Sequence, residues 1–476
     1  MPTRHVAFLD EVPAPLRAGL AQLRESLGVP DDFPPEVIQA AELAVADRTL
    51  PQRDLTGVEF ITIDPEGSRD LDQALHLART DSGYLFRYAI ADVAAFVAPG
   101  GLIDAECHQR VETLYAPNRR TPLHPEVLSE AAASLLPDQV RPALVWEMEL
   151  DGQAAPTHST VGRARVRSRH QYTYAEVQAA IDGGTTDEVL LLLKEVGQLR
   201  EAAEVARGGI SLGVPEQQVT AAGGTWTLEY RTNLPCEGWN AQLSLLTGMV
   251  AARMMLDAGV GILRTLPPAE DHAVSRLRRT AQALGIRWPQ QVSYPDFVRE
   301  LDASVPREAA MLNACTTLFR GAGYDSFTDG APKSSEHAAI AAPYAHVTAP
   351  LRRLVDRYAG EICVSLSAGE PVPTWVLDAL DALPSEMEDS ARRAGKYERG
   401  IVDLVEAMVL APRIGQQFTG VLIDVDSDRA SGRLQLQEPA VEAKVRGSKL
   451  RLGIEVAATL VAADLVSGRV DFRIFG

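Results

Sequence analysis

Cysteine, long apolar runs and excess positive charge are what this chain of 476 residues lacks. Its four cysteines (Cys107, Cys236, Cys315, Cys363) lie far apart with no C-x-x-C pair. That spacing suggests neither a disulfide framework nor a zinc ribbon, and it fits a reducing cytoplasm. No apolar run reaches the roughly 18 residues a membrane span needs. Arg4, Asp10 and Glu11 interrupt the first dozen residues, so no signal peptide is expected either. With 46 Lys+Arg against 64 Asp+Glu the net charge is -18, which argues against a polybasic membrane binder and against whole-surface binding of nucleic acid. A local basic channel stays compatible with it. There is no repeat of fixed period and no low-complexity tract. What remains, 46% hydrophobic and 23% charged, is an ordinary globular composition. The length exceeds one compact core, so a large central domain flanked by smaller modules is expected.

Leu16, Leu20, Leu23 and Leu27 fall at helical spacing before Gly28-Val29-Pro30, and Glu36 to Ala46 reads as a second helix. A polar stretch, 47–56, leads to the buried-strand pattern Val58 to Ile63. From there to about residue 410, strands (Tyr84 to Ala91, Leu144 to Leu150, Gly162 to Arg169) give way to long helical patterns (Asp187 to Ala206, Asn240 to Ala258, Ala273 to Leu284, Pro384 to Met408). This is a mixed α+β block. After Pro412 the sequence reads as five short strands, which suggests a small OB-type barrel. That tail carries nine basic and eight acidic residues, against the strongly acidic remainder, so single-stranded nucleic acid could sit there without global repulsion.

The sharpest local feature is Thr62-Ile63-Asp64-Pro65-Glu66-Gly67-Ser68-Arg69-Asp70-Leu71-Asp72-Gln73 directly after an apolar strand. Asp70 and Asp72, two apart in an extended segment, point to one side, and the turn at Pro65 to Ser68 can fold Asp64 back toward them. Three neighbouring anions call for a counter-cation. Carboxylate oxygens without His or Cys select a hard ion, Mg(II) or Mn(II), over zinc. An EF-hand loop is excluded, because counting from Asp64 places Arg69 at the sixth position, and counting from Asp70 places Ala74 where an oxygen ligand belongs. Spacing alone leaves a solvated turn or an N-cap group as the other reading.

The segment resembles the T-I-D-x5-D-x-D-D signature of the ribonuclease II / ribonuclease R (RNB-domain) exoribonucleases. Further blocks occur in that family's order: Tyr88 to Val93, Val97 to Gly100, Tyr115-Ala116-Pro117, Leu123 to Ser129, Ser134 to Pro137, Tyr172-Thr173-Tyr174, Pro343 to Arg353 and Tyr397-Glu398-Arg399. The resemblance covers roughly residues 33 to 476. It implies an α+β fold: a large RNB-type catalytic domain (49–411), a C-terminal five-stranded OB barrel (412–476) and a short N-terminal helical module (1–48). The family's usual pair of cold-shock barrels has no room here, and a helical module, of which a helix-turn-helix is one form, is expected in their place. A more open channel entrance would let partly duplexed RNA reach the site.

The activity implied is processive 3'-to-5' hydrolysis of single-stranded RNA to nucleoside 5'-monophosphates, with Mg(II) or Mn(II), by a monomer in the cytoplasm with no membrane partner. Asp64, Asp70 and Asp72 match three of the family's four metal-site aspartates, and Gln73 occupies the fourth. Two ions would be bound, one site weakened by Gln73. The same departure makes a catalytically impaired RNA-binding or scaffold protein the alternative reading. Arg352 matches the phosphate-clamping arginine, where a bidentate fork suits the planar oxygens; otherwise it would pair with Asp356 or Glu361. Tyr115 matches the base-stacking residue, against a core role, and Glu398 the residue at the terminal nucleotide, against an ion pair with Arg399 or Arg393. Arg163, Arg165, Arg167 and Arg169 alternate along one strand and either follow an RNA backbone or form a solvated edge that blocks strand pairing. Lys444, Arg446, Lys449 and Arg451 offer a second basic track or a solvated face. His337 and His346 are expected to be structural.

Overall fold

The computed structural model describes residues 13–117, 119–184, 186–211, 216–222, 225–231, 233–319, 321–426, 428–436 and 438–475. The first twelve residues of the expected N-terminal module lie outside the described residues. Two helices open the chain, α1 (Ala14–Ser26) and α2 (Pro35–Ala46), the latter with proline in its first turn, where the missing N–H costs no hydrogen bond.

Next come strands β1 (Phe60–Asp64), β2 (Gln73–Thr80) and β3 (Gly83–Ala91), helix α3 (Leu102–Arg110) and the short hairpin β4 (Leu114–Ala116) and β5 (Arg119–Thr121). The long strands β6 (Val140–Asp151) and β7 (Pro156–Thr173) come after them. Strands β1, β2, β3, β6 and β7 close into a barrel. Its seam is β1 lying parallel to β7, with Ile63 opposite Tyr172 and Asp64 opposite Thr173. Phe60, Phe86, Tyr88 and Trp146 are fully buried around this barrel.

Closure bears on the arginine-rich strand. It is β7, which pairs with β6 through residues 156–167 and with β1 only through 168–173, so among the named strands Arg163 and Arg167 are paired on the β6 side alone, Arg165 also bridges to Asp54, and Arg169 lies in the stretch that β1 covers. The period-two pattern is as expected: Ala164, Val166 and Ser168 are buried while the arginines between them face outward.

Helices α4 (Tyr174–Asp182), α5 (Glu188–Arg207) and α6 (Pro235–Ala258) pack beside the barrel, with the hairpin β8 (Glu216–Ala222) and β9 (Thr225–Arg231) between the last two. Thr173 caps α4, its Oγ1 accepting from the Glu176 N–H while the Glu176 carboxylate accepts from the Thr173 N–H. Gly197 of α5 lies so close to Trp239 of α6 that an added Cβ would sit 2.3 Å from the Trp239 Cβ. Here glycine sets the interhelical distance. Gly259 ends α6 at φ +72°, the left-handed conformation that only glycine adopts without strain.

The chain continues through β10 (Gly261–Thr265), α7 (Asp271–Ala283), α8 (Tyr294–Arg299), α9 (Pro306–Cys315), β11 (Gly323–Phe327) and the small pair β12 (Glu336–His337) and β13 (Ala342–Pro343). Helices α10 (Leu354–Ala368), α11 (Thr374–Ala379) and α12 (Leu383–Leu410) lead to the last strands. These are β14 (Gln417–Asp426), β15 (Ser431–Leu436), β16 (Val441–Arg446), β17 (Glu455–Asp464) and β18 (Arg469–Arg473), a second closed barrel in the order β14-β15-β16-β18-β17.

Three apolar cores hold the molecule together. The first surrounds the larger barrel and takes in Val37 and Ala41 of α2. The second joins the small barrel to Tyr397, Ile401 and Val405 of α12 and to Leu16 and Leu20 of α1. The third seals α7 to α9 against Val421 and Ile423 of β14. The two opening helices thus dock on different cores. All four cysteines are free and buried, and among the described residues no helix is long and apolar enough to cross a membrane.

Candidate active site

Strand β1 delivers Asp64 at its end, and the chain then turns, with the Ser68 N–H donating to the Pro65 carbonyl at 3.2 Å. Gln171 of β7 pins the turn by donating to the Ser68 carbonyl at 2.9 Å. Ser134 fixes the segment after the turn: its hydroxyl donates to the Arg69 carbonyl (2.6 Å) and accepts from the Leu71 N–H (2.9 Å). Leu71 is fully buried. In an extended segment its neighbours Asp70 and Asp72 therefore point to the opposite side.

Each aspartate has a different environment. Asp72 is 4% exposed. Its Oδ1 accepts from the Leu351 N–H at 2.7 Å and its Oδ2 from Arg352 Nε at 3.2 Å. Burial pushes its pKa up to about 7 despite the opposing Arg352 charge. Asp70 accepts from the Tyr115 hydroxyl and from Arg120 Nη1, both at 3.0 Å. Asp64 keeps a buried Oδ2 with no hydrogen-bond partner. Burial, and then the charge of Asp70, pushes its pKa up to about 7. Burial and Asp70 also raise Tyr115 above the usual phenol range, so its hydroxyl remains a donor.

Gln73 begins β2 with its amide engaged at both ends. Its amide oxygen accepts from the Tyr88 hydroxyl at 2.7 Å and its amide nitrogen donates to the Thr348 carbonyl at 2.6 Å. Among the described residues no three carboxylate, imidazole or thiol side chains converge into a ready-made metal cage. The donor set fits one hard divalent ion reached through the unpartnered Asp64 oxygen beside Asp70, its other positions left to water and phosphate, as magnesium prefers. A second ion held through Gln73 would have only the remaining lone pair of a neutral amide oxygen.

Arg352 stands over Asp72 with its side chain 41% exposed. Only its Nε is bonded, so among the described residues the two Nη groups carry no protein hydrogen bond. The competing partners are taken: Asp356 by Arg353 at 2.9 Å, and Glu361 by Arg163. Tyr115 is half-buried on β4 and tied to Asp70. Glu398 sits half-buried on α12, the helix that packs against β4.

The arginines of β7 are mostly committed to the protein. Arg163 pairs with Asp92 and Glu361, Arg165 with Asp54, and Arg169 donates to the Thr56 carbonyl. Arg167 is half-buried, and its Nε has no partner. Lys444 and Arg446 are exposed on β16, where Lys444 lies beside Arg433 of β15 and Arg446 beside Arg473 of β18. His346 shares a 2.7 Å hydrogen bond with the Tyr324 hydroxyl, and burial depresses its pKa. Burial likewise lowers His337, to about 4.

Six contributors escape a reading of the acidic motif alone: Tyr88, Ser134, Thr348, the Leu351 N–H, Arg120 and Glu130. The first four lie inside the other matching blocks. For Arg120 the one sequence signal is its place five residues after Tyr115.

The RNB domain profile matches residues 52–363, and that of the RNase II-type exonuclease C-terminal S1 domain matches 416–474. Ribonuclease R of Aquifex aeolicus (strain VF5) is 25% identical over 493 residues, which covers 95% of this chain and 67% of that protein. Ribonuclease R of Escherichia coli (strain K12) is 26% identical over 401 residues, covering 78% of this chain and 48% of that protein. The chain therefore spans about half to two thirds of the length of these relatives. In fold it is similar to Mycoplasma genitalium RNase R in complex with ribose-methylated single-stranded RNA, with TM-score 0.87, 18% identity, 97% of this chain and 78% of that one. It is also similar to yeast Ssd1, a pseudonuclease, with TM-score 0.69, 15% identity, 88% of this chain and 52% of that one. With the RNB profile alone spanning more than half of its length, the chain belongs to the RNB-domain family of ribonuclease R-type exoribonucleases.

Proposed function

We propose that this chain is a processive 3'-to-5' exoribonuclease that hydrolyses single-stranded RNA to nucleoside 5'-monophosphates with Mg(II) or Mn(II). The observation that carries the reading is the buried, unpartnered Asp64 oxygen beside Asp70, facing a site where Asp72 holds Arg352 by its Nε alone. A carboxylate oxygen left dry and unsatisfied is costly unless a cation completes it. A divalent ion there, when bound, would acidify water and neutralise phosphate oxygens.

The chain's own residues supply the rest. Asp72 orients Arg352 so that its Nη fork is presented to the nonbridging oxygens of the scissile phosphate. Tyr115, anchored through its hydroxyl, offers its ring to the last base. Glu398 orders the terminal nucleotide, while Arg167, Lys444 and Arg446 track the backbone upstream. The division into 1–48, 49–411 and 412–476, the monomeric state and a cytoplasmic location belong to the same proposal.

One observation favours the second reading, a catalytically impaired RNA-binding protein: Gln73, locked between Tyr88 and Thr348, leaves the cluster one acid short. A 5'-labelled oligoribonucleotide incubated with the protein and Mg(II) separates the two. Conversion of the full-length RNA directly to a short 5'-labelled limit product, with nucleoside 5'-monophosphates found by chromatography and both stopped by EDTA, is expected. Bound but intact RNA would establish the impaired protein instead. Equal cutting of the matching DNA oligomer would contradict the assignment to RNA.

A further inference from the structure

Arg120 is not used by the chemistry proposed above. Its Nη1 lies 3.0 Å from Asp70 Oδ1 and 3.0 Å from Glu130 Oε1, with the arginine side chain 17% exposed and each acid 14%. Glu130 rides on a π-helical turn, Leu128–Ala132, a rare element that tends to mark functional positions. The three carboxylates of the site are therefore unequal. Asp72 has Arg352, Asp70 has Arg120, and Asp64 alone keeps a buried oxygen with no partner. Gln73 adds no charge and its amide is engaged on both ends.

When all four acids are ionised, three aspartates and Glu130 set against Arg120 and Arg352 leave two negative charges, the charge of one divalent ion. Arg69, 3.7 Å from Glu130, is 68% exposed, and water screens it. Resting on the reading of this cluster as a metal-dependent phosphodiesterase site, we propose that Arg120 is a built-in counter-cation of Asp70, positioned by Glu130, which limits the cluster to one divalent ion at Asp64. Arg120 is then a positioning residue: it fixes the charge and direction of Asp70 without touching the phosphate. A cavity of about 640 Å³ borders it, lined also by Arg119, Glu126 and Glu130, so small cations can reach its place from solvent.

Manganese binding to the full chain, monitored by calorimetry and by the electron paramagnetic resonance of free Mn(II), tests this without reference to turnover. The wild type is expected to take one ion at the cluster. Arg120→Gln removes a unit charge beside the site and takes up a second ion, or binds the first at least about tenfold more tightly. Arg120→Lys keeps wild-type binding. Glu130→Gln, which removes one acid from the cluster and its pull on Arg120, moves the affinity the other way and weakens it several-fold. In Arg120→Ala, millimolar guanidinium returns the wild-type stoichiometry through the cavity. Unchanged stoichiometry and affinity in Arg120→Gln, or a Glu130→Gln shift in the same direction as Arg120→Gln, would overturn the proposal. Asp64→Asn separates this from the underlying reading: loss of Mn(II) there with no Arg120 effect refutes the counter-cation alone, whereas full binding without Asp64 refutes the metal site itself.

Discussion

Asp72→Asn is expected to raise the stability of the metal-free protein at pH 8 while abolishing its turnover. In the folded chain burial lifts the Asp72 carboxyl from its ordinary 3.8 to about 7. Between those two values the folded state holds a proton that the unfolded state has released. Stability therefore falls as pH rises through that window and levels off above 7. A shift of about three units corresponds to roughly 4 kcal/mol at most, and relaxation with water entry brings it to about 2–4 kcal/mol. Asparagine removes the buried charge and keeps the oxygen that accepts the Leu351 N–H. Its amide nitrogen meets Arg352 Nε donor to donor, which takes back about 1 kcal/mol. The net gain at pH 8 is then about 1–3 kcal/mol, or a few degrees in Tm for a chain of this length. At pH 5 the native carboxyl is already neutral and the gain disappears. Thermal and denaturant unfolding in EDTA at pH 5, 6.5 and 8 measures the difference. Parallel curves for the two proteins across that range, or a variant less stable at pH 8, would refute the reasoning that Asp72 is held dry at the expense of stability.

Arg163→Ala strips the buried carboxylates of Asp92 and Glu361 of their guanidinium, so urea unfolding should show a loss of about 3 kcal/mol. Arg167→Ala should leave unfolding almost unchanged and instead weaken RNA binding several-fold, lowering the salt slope by about 1 in fluorescence anisotropy across salt concentrations. Tyr115→Phe keeps the ring but deletes the donor to Asp70. Turnover of a short oligoribonucleotide should fall about fivefold for a hydrogen bond of roughly 1 kcal/mol, with the length of the final product unchanged; a longer limit product would show that the hydroxyl sets where degradation stops.

The parts of the site that are local in sequence were the legible ones. Asp64, Asp70 and Asp72 sit within nine residues, next to an apolar strand and a Pro-Glu-Gly-Ser turn, so their approach is set by short-range geometry. Two helix ends were legible for the same reason, since the stretches read as helical up to Ala46 and Ala258 stop where α2 and α6 stop. The contacts that escaped depend on chain closure. Arg352 and the Leu351 N–H reach Asp72 across 280 and 279 residues, a distance that the matching block at 343–353 could suggest but spacing could not. The alternating arginines of β7 read equally well as an RNA track or as an edge, because the groups that occupy them, Asp92, Glu361, Asp54 and the Thr56 carbonyl, are brought up from 71 to 198 residues away. Arg120 escaped because an arginine pair on a short hairpin strand is ordinary until Asp70 and Glu130 are placed around it. Gln73 was read as a weak oxygen ligand, and only the fold shows its oxygen turned to Tyr88.

The central claim, that Asp64 and Asp70 close on a hard divalent ion beneath Arg352, is tested most directly by anomalous diffraction from a crystal of this protein soaked in manganese. The account predicts a single strong peak within coordination distance, about 2.2 Å, of the Asp64 carboxylate on the side facing Asp70. An empty map there, with manganese found elsewhere or Asp64 turned to bulk water, would contradict it.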